Sequence, residues 1–452
     1  MNGYDGRGAP NSPPNKFRIP INPFVDAPRI SAIFDNKILY AYDPNFSCTL
    51  AMDCAFIESM KNLFRYAILP ATFLLAGLMI IDAGGSPKPM NQSDELVYIG
   101  TNTGNGSKSQ GIYLYKFSET TGKLTPLGLA AKSDNPGFLA LDPTHRYLYS
   151  VNEIGDYQGK TTGSLSAFAI DRPTGRLSPL NVVASGGAGP THLAVDKTGR
   201  WVLAANYGAG SVALFPILAD GRLGKVKVVL PHAGHSVNPQ RQKEPHAHSV
   251  YFSPDNHFAV SADLGTDQIY VYRFDASTGT LTPNQPPYAT VAPASGPRHF
   301  AFSADSKFAY VIQEMASTIT TFSYDAEHGH LKSLQMISTL PTDFKGSSTC
   351  AEIFIHPNGK FLYGSNRGHD SIAVFSIDPI KGTLTPVEYV STQGKTPRNF
   401  GIDPTGRYLI AANQDSSSLV VFRIDSKTGR LTPTGQKEET PTPICVVFEP
   451  AE

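Results

Sequence analysis

Three short sequence patterns each occur seven times between residue 96 and the end of the chain, and this repetition limits the fold more than any other feature. One is an apolar strand that ends on a polar residue, the second is a glycine turn before a leucine, and the third is a strand that starts near a proline. The polar residues recur about every 50 positions: Asn102, Asn152, Asn206, Asp263, Gln313, Asn366 and Asn413. The turn glycines keep the same period: Gly122, Gly175, Gly221, Gly279, Gly329, Gly382 and Gly429.

Between these markers, apolar and polar residues alternate as they do in strands that have one face in a core. About four such strands fit into each repeat, and four-stranded units repeated typically four to eight times form a β-propeller. A β-sandwich would not keep its register over seven copies, and the coil of a β-helix is much shorter than this repeat. We therefore predict an all-β chain that forms a seven-bladed β-propeller with four-stranded blades.

The two ends of the repeat region predict how the ring closes. A strand with a polar end precedes the first proline-type strand, and one spare proline-type strand, TPICVVFEP, comes at the end of the chain. We expect residues 443–449 to be the innermost strand of the blade begun by residues 96–130. Pairing the two termini in one blade removes open sheet edges. The propeller is then one domain, at 91–452.

Composition excludes several classes of partner. Lys+Arg and Asp+Glu both number 38, so the chain has no electrostatic footprint for nucleic acid or for an anionic membrane surface. We expect no nucleic-acid partner and no stable membrane insertion of the propeller. The four cysteines contain no CxxC pair, which disfavours a structural zinc site. Cys350 and Cys445 fall in non-adjacent predicted blades, so we expect free thiols.

The segment at 60–85, MKNLFRYAILPATFLLAGLMIIDAGG, has the layout of a secretory signal peptide: a basic start, an apolar run and small residues. A signal anchor is the alternative, although the apolar run is short for a bilayer span. Residues 1–59 precede it, and we interpret them as a mis-assigned start, with Met60 the true one, or else as a disordered extension. The segment predicts export to the periplasm, and a cytoplasmic location is the alternative.

Polar and charged residues mark one face of the predicted propeller. The innermost strand of a blade lines the central channel, and its start lies on the same face as the end of the next strand. The starts of the inner strands carry His192, His248, Arg298, His299, Glu352, Arg398 and Asn399. The ends of the second strands carry Glu153, Asn206, Glu314 and Arg367. Three arginines, three histidines and three glutamates thus face one funnel.

Each of these residues has a structural alternative. The repeated position of Asn206 occurs in every blade, which favours a turn or ladder role. The histidines could be satisfied residues of the inner strands, and the arginines could pair with Glu153, Glu314 or Glu352. An arginine at a narrowing channel nevertheless needs an anionic partner. We therefore favour a ligand-binding face.

Other motifs are weak or missing. His246 and His248 are two apart in a strand and could share a side, but no further cluster has metal-ligand spacing, so we predict no metal. The sequence has no GxSxG elbow and no phosphate-cradling GxxxxGK[ST] loop. We expect no cofactor.

The blades resemble the lactonase family of seven-bladed propellers, which includes the bacterial propeller-type 6-phosphogluconolactonase and the fungal carboxymuconate cyclase. The resemblance covers about residues 94–450 and is carried by VYIGTNTG, EPHAHSVYFSPD, GPRHFAFSAD with VIQE, AEIFIHPNGKFLYGSNRG and TPRNFGIDPTGRYLIAANQ. It implies an active-site set of a histidine, two arginines and a glutamate. By motif these are His248, Arg298, Glu314 and either Arg367 or Arg398.

The resemblance implies hydrolysis of a small-molecule lactone that carries an anionic group, most closely 6-phosphogluconolactone. Glu314 or His248 would activate water, Arg298 would stabilise the oxyanion, and Arg367 and Arg398 would clamp the anion. We expect further substrate contacts from His192, His299, Glu352, Asn399, Glu153 and Asn206. A monomer is expected.

Two other functions remain open. The fungal chemistry is a lactone-forming cyclisation with the same residues, and a propeller can also be a non-enzymatic binding module. A buried base with a raised pKa would favour the enzyme. Arginines tied up in structural salt bridges, with aromatic residues exposed on the rim, would favour the binding module.

Overall fold

The computed structural model of the chain describes residues 94–104 and 106–449, and before them only two dipeptide strands. These are β1 (Ile33–Phe34) and β2 (Lys37–Ile38), which pair antiparallel. The predictions of a signal segment at 60–85 and of an extension or mis-assigned start at 1–59 therefore lie, apart from those two strands, outside the described residues. Among the described residues there is no helix that is long and apolar enough to cross a membrane.

Residues from Asp94 onward form seven four-stranded antiparallel sheets, as predicted. Blade 1 contains β3 (Asp94–Thr101), β4 (Gly111–Ser118) and β5 (Leu124–Lys132); blade 2 contains β6 (Pro136–Leu141), β7 (Tyr147–Asn152), β8 (Ser164–Asp171) and β9 (Arg176–Ala184); blade 3 contains β10 (Pro190–Val195), β11 (Trp201–Asn206), β12 (Ser211–Pro216) and β13 (Val228–Pro231). Blade 4 contains β14 (Ala247–Phe252), β15 (Phe258–Asp263), β16 (Gln268–Asp275) and β17 (Thr280–Thr290); blade 5 contains β18 (Pro297–Phe302), β19 (Phe308–Gln313), β20 (Thr318–Asp325) and β21 (His330–Ser338). Blade 6 contains β22 (Thr349–Ile355), β23 (Phe361–Arg367), β24 (Ser371–Ile377) and β25 (Leu384–Ser391); blade 7 contains β26 (Pro397–Ile402), β27 (Tyr408–Asn413), β28 (Ser418–Ile424) and β29 (Leu431–Glu439).

The ring closes through the last strand, β30 (Pro443–Glu449), which joins blade 1 beside β3. Leu96 pairs with Glu449, and Gly100 pairs with Cys445. The innermost strands contact one another around a full circle, from β6 through β10, β14, β18, β22, β26 and β30 back to β6. The predicted closure is confirmed, and the inner strands line one central channel. Cys350 and Cys445 are buried free thiols, also as predicted.

The repeated turn glycines have a packing role between blades. Gly175 adopts a φ of 69°, which a side chain other than glycine's rarely allows, and its carbonyl accepts a hydrogen bond from the buried hydroxyl of Tyr98 in the preceding blade, at 2.8 Å. The same contact recurs in three further blade pairs: Tyr149 to Gly221, Tyr310 to Gly382 and Tyr363 to Gly429. The glycine period in the sequence therefore reflects the docking of each blade on its neighbour.

Candidate active site

A β-bulge at the start of each inner strand aims particular side chains at one mouth of the channel. In each blade, the pairing between the inner strand and the second strand shifts register near the first residues of the inner strand. A bulge leaves a residue unpaired and redirects it. In six blades the residue skipped by the pairing is Gly137, Thr191, His248, Arg298, Arg398 or Ile444, and all six line one narrow cavity.

Glu314 is the centre of the charged residues at this mouth. It follows β19, and its backbone N–H donates to Gly296 O at 2.7 Å. Its Oε2 lies 3.0 Å from Arg298 Nε and 3.0 Å from Arg367 Nη2, and its Oε1 lies 2.8 Å from Arg241 Nη2. One buried carboxylate thus accepts hydrogen bonds from Arg298 and Arg241 and forms an ion pair with Arg367.

This arrangement decides the protonation state of Glu314. Burial by itself would raise the pKa of the carboxyl, but the charges of Arg367 and Arg298 and the hydrogen bond from Arg241 outweigh burial and lower the pKa to about 2. Glu314 is therefore ionised at any physiological pH and is occupied on both oxygens. Neither oxygen of Glu314 is therefore free of an arginine contact to take a proton from water.

Arg241 is a residue that the sequence analysis missed. It lies in the connection between β13 and β14, and its Nη2 also bonds the Tyr207 hydroxyl at 3.2 Å. Its side chain is 42% exposed, so it closes over Glu314 from the solvent side. The available signal was the interval from Asn206 to Asp263, which is the longest between the repeated polar residues and shows that this blade carries an insertion.

His248 is the other group predicted to activate water. Its Nε2 lies 4.0 Å from Glu314 Oε2, and its Nδ1 is buried without a hydrogen-bond partner in the described part of the chain. Burial, followed by the charges of Arg298 and the other arginines at this mouth, lowers its pKa well below 6.5. The imidazole is therefore neutral at neutral pH, and a proton that it accepted would be stabilised by the nearby carboxylate of Glu314.

A second buried group lies deeper in the channel. His299 Nδ1 is 2.7 Å from Glu352 Oε1, which also accepts the Ile353 N–H at 2.9 Å, and Asn399 Nδ2 donates to the other carboxyl oxygen. Burial raises the pKa of Glu352 to about 8, and burial together with the charge of Arg298 lowers the pKa of His299. Glu352 and Asn399, predicted as substrate contacts, are engaged in holding His299.

The three predicted arginines are engaged to different degrees. Arg298 Nη1 donates to Ala351 O and Arg367 Nη2 donates to Cys350 O, both at 2.8 Å, in addition to their bonds with Glu314. Among the described residues, Arg398 has one distant ion pair, 3.9 Å from Glu153, and both of these side chains are about one-third exposed or less. Arg398 is therefore the arginine of the three that is most available to a ligand.

Two predicted substrate contacts lie elsewhere. Asn206 is fully buried, and its Nδ2 donates to Ser185 O and Ser211 Oγ at 3.2 and 3.3 Å, which is the ladder role that its recurrence suggested. His192 lies on the inner side of His299, with ring centres 5.2 Å apart, and packs against Phe138. Neither belongs to the Glu314 cluster.

The histidine pair two residues apart does not form a cluster with further ligands. His246 stacks on Tyr207 at 4.5 Å between ring centres, and its Nδ1 lies 3.0 Å from the Tyr207 carbonyl. Within residues 94–104 and 106–449, no group of three His, Cys, Asp or Glu side chains is placed to hold a metal ion.

Comparison with known proteins agrees with this geometry. The family described as "Lactonase, 7-bladed beta-propeller" matches residues 96–448. The chain belongs to this family. It is 38% identical over 306 residues to a 6-phosphogluconolactonase from Bacillus subtilis, covering 68% of this chain and 84% of that protein. It is 34% identical over 296 residues to a 6-phosphogluconolactonase from Formosa agariphila, covering 65% of this chain and 82% of the relative.

A solved lactonase-family structure shows the same ring. The periplasmic gluconolactonase of Pseudomonas aeruginosa superposes with a TM-score of 0.74 at 34% identity, covering 80% of this chain and 100% of that one. The resemblance stated from the sequence motifs is therefore confirmed at the level of the family. The relatives' names include both a phosphorylated and an unphosphorylated lactone, so the family by itself leaves the substrate's phosphate open.

Proposed function

We propose that this protein hydrolyses a sugar lactone to the corresponding sugar acid at the mouth of the channel that carries Glu314. The observation that supports the proposal is the position of a neutral, buried histidine, His248, beside a carboxylate that three arginines keep ionised. This supplies a proton acceptor, a group that stabilises the acceptor once it is charged, and positive charge for an oxyanion.

The reaction that these groups support proceeds through a tetrahedral intermediate. The oxygen of a water molecule bonds to the lactone carbonyl carbon while one water proton moves to His248. The carbonyl oxygen becomes an oxyanion, and the guanidinium of Arg298 stabilises it. The bond between this carbon and the ring oxygen then breaks, the ring oxygen takes the proton back from His248, and the products are a carboxyl group and a hydroxyl group on one open chain.

Glu314 and Arg367 have supporting roles in this scheme. Glu314 stabilises the imidazolium of His248 across 4.0 Å and fixes the plane of the Arg298 guanidinium through Nε. Arg367 fixes the same carboxylate from the neighbouring blade. Preorganised charges of this kind need no reorganisation during the reaction, which is why they lower the barrier.

We propose 6-phosphogluconolactone as the substrate because two arginines at this mouth, Arg241 and Arg398, keep part of their guanidinium groups exposed. Such groups bind phosphate oxygens well. Export, predicted from residues 60–85, would instead suit an unphosphorylated lactone, as the name of the periplasmic relative suggests. The two possibilities differ in which lactone is turned over.

The deciding experiment measures hydrolysis of 6-phosphogluconolactone and of gluconolactone by the full chain, with the spontaneous rate subtracted and Arg298→Ala as control. Turnover of the phosphorylated lactone that Arg298→Ala abolishes supports the proposal. Turnover of only gluconolactone corrects the substrate. Absence of turnover with both lactones rejects this function and favours the cyclase or the binding module.

A further inference from the structure

A large cavity in the described part of the chain lies at the opposite mouth of the channel, away from the Glu314 cluster. It has a volume of about 630 Å³. The bulges lie at the first residues of the inner strands, whereas the walls of this cavity come from their last residues. These wall residues include Leu141, Val195, Phe302, Ile355, Ile402 and Phe448. Cavities that bind small molecules commonly have volumes of about 300–1,000 Å³ and apolar walls.

A buried polar atom at the inner end of this cavity lacks a partner. His192 lines the cavity and is 2% exposed. The Val250 N–H donates to its Nδ1 at 3.4 Å, so in the neutral ring the proton is on Nε2. Nε2 is buried and has no hydrogen-bond partner among the described residues. A buried N–H group without an acceptor is unfavourable, and a ligand that brought an acceptor would remove that penalty.

The lining also indicates the charge of such a ligand. None of the described residues that line the cavity is a lysine or an arginine, so an anion would find no positive partner. The carboxyl group of Glu352, at the same inner end, is already hydrogen-bonded to His299, Asn399 and the Ile353 N–H, so it is not free to bind a cation. A charged molecule would lose hydration without compensation.

We propose that this cavity is a second binding site, separate from the lactonase mouth, for a neutral and mainly apolar small molecule. The ligand carries one hydrogen-bond-accepting oxygen, such as a ketone or ester carbonyl, which accepts the Nε2–H of His192. Its apolar part lies along the inner strands towards the open mouth. Phe302 lies three residues further along the strand than His299, so the apolar part spans about 10 Å.

Prodan, a neutral naphthalene with a ketone, is a suitable probe because its emission shifts to the blue in apolar surroundings. With the full chain we expect saturable binding with a blue shift, and no displacement by lactone substrate. Ala194→Trp fills the cavity and should weaken binding at least tenfold while kcat/KM for the lactone stays within about twofold. Ala169→Trp, on an outer strand, is the matched control and should bind prodan like the unmodified protein.

His192→Phe keeps an aromatic ring and removes the donor, so prodan affinity should fall about fivefold to tenfold, as expected for one neutral hydrogen bond. The proposal is overturned if prodan does not bind, if Ala194→Trp binds it as well as the unmodified protein does, or if lactone displaces it. Because lactone turnover is measured on the same samples, failure of this second site can be told from failure of the proposed enzyme activity.

Discussion

His299 Nδ1 lies 2.7 Å from Glu352 Oε1, and this hydrogen bond joins the inner strands of blades 5 and 6 at the floor of the candidate active site. Both side chains are buried. This contact occupies Nδ1 and leaves Nε2 as the ring nitrogen of His299 that is available to another partner. Glu352 therefore fixes which nitrogen of His299 is engaged, although Glu352 lies one strand away from the arginine cluster.

The first prediction concerns this pair. Glu352→Gln keeps the shape but replaces the ionisable carboxyl that bonds His299 Nδ1 with an amide, so we expect kcat to fall about tenfold or more with little change in KM, in the range known for loss of a positioning group. Glu153→Gln, a more exposed carboxyl near Arg398, is the matched control and should change kcat less. Steady-state kinetics on both variants check this, and equal effects would show that Glu352 has no special role.

The same substitution should alter the pH dependence of stability. Because the folded pKa of Glu352 is raised to about 8 from 4.5, the folded state holds a proton that the unfolded state releases, and stability decreases as pH rises from 4.5 to 8. The Glu352→Gln variant has no carboxyl at this position, so its stability should not decrease with pH for this reason. In urea unfolding, the variant should therefore be more stable relative to the unmodified protein at pH 8 than at pH 5. A difference that does not change with pH would contradict the raised pKa.

The contribution of Glu314 to folding stability should change with pH in the opposite direction. Its folded pKa is lowered to about 2 from 4.5, so its ionised form stabilises the fold above pH 4.5, and that contribution is lost as pH falls towards 2. The shift corresponds to roughly 3 kcal/mol. Glu314→Gln should lose stability of this order at pH 7 and converge with the unmodified protein in acid. Unfolding curves at pH 7, 4 and 3 measure it, and a variant of unchanged stability at pH 7 would refute the prediction.

Arg298 should act in the transition state. Removing one preorganised oxyanion donor typically lowers kcat about 100- to 1,000-fold. We expect Arg298→Ala to lower kcat by that order and to change KM little, and Arg298→Lys to recover only part of the rate because it loses the Nε bond to Glu314. Circular dichroism would verify that the blade remains folded. If KM rose while kcat stayed constant, Arg298 would be a substrate anchor instead.

Alanine substitutions of Arg367 and of Arg398 should have different effects on kinetics and stability. Arg367 is 14% exposed and bonds Glu314, whereas Arg398 is 26% exposed and weakly paired. We therefore expect Arg398→Ala to raise KM for the phosphorylated lactone about tenfold more than for gluconolactone, and Arg367→Ala to lower both kcat and stability. Kinetics with both lactones, together with thermal unfolding, distinguish them. The reverse assignment would make Arg367 the anion clamp.

The activity should persist in mild acid. Because burial and the arginine charges lower the pKa of His248 well below 6.5, the imidazole stays unprotonated as pH falls through that value. We expect the acid limb of kcat/KM to have its midpoint below pH 6.5 and to disappear in the low residual activity of His248→Gln. A midpoint above 6.5 would assign the limb to another group.

The sequence by itself determined the ring and its closure. Seven repeats with alternating apolar residues leave few ways to bury their faces, so the number of blades and the closing strand at 443–449 could be predicted. The side of the ring that carries Arg298, Glu314 and Arg367 could be predicted too, because strand starts and strand ends have fixed positions in a blade.

Only the tertiary structure decided which side chains meet. Arg241 reaches Glu314 from a connection 73 residues earlier, and His299 reaches Glu352 across 53 residues and a blade boundary. Bulges in the inner strands aim the residues, and the sequence alone does not show which residue a bulge leaves unpaired. The two buried glutamates differ in pKa because three guanidinium groups surround Glu314, whereas burial dominates at Glu352; the number of charges around a group depends on the assembled ring.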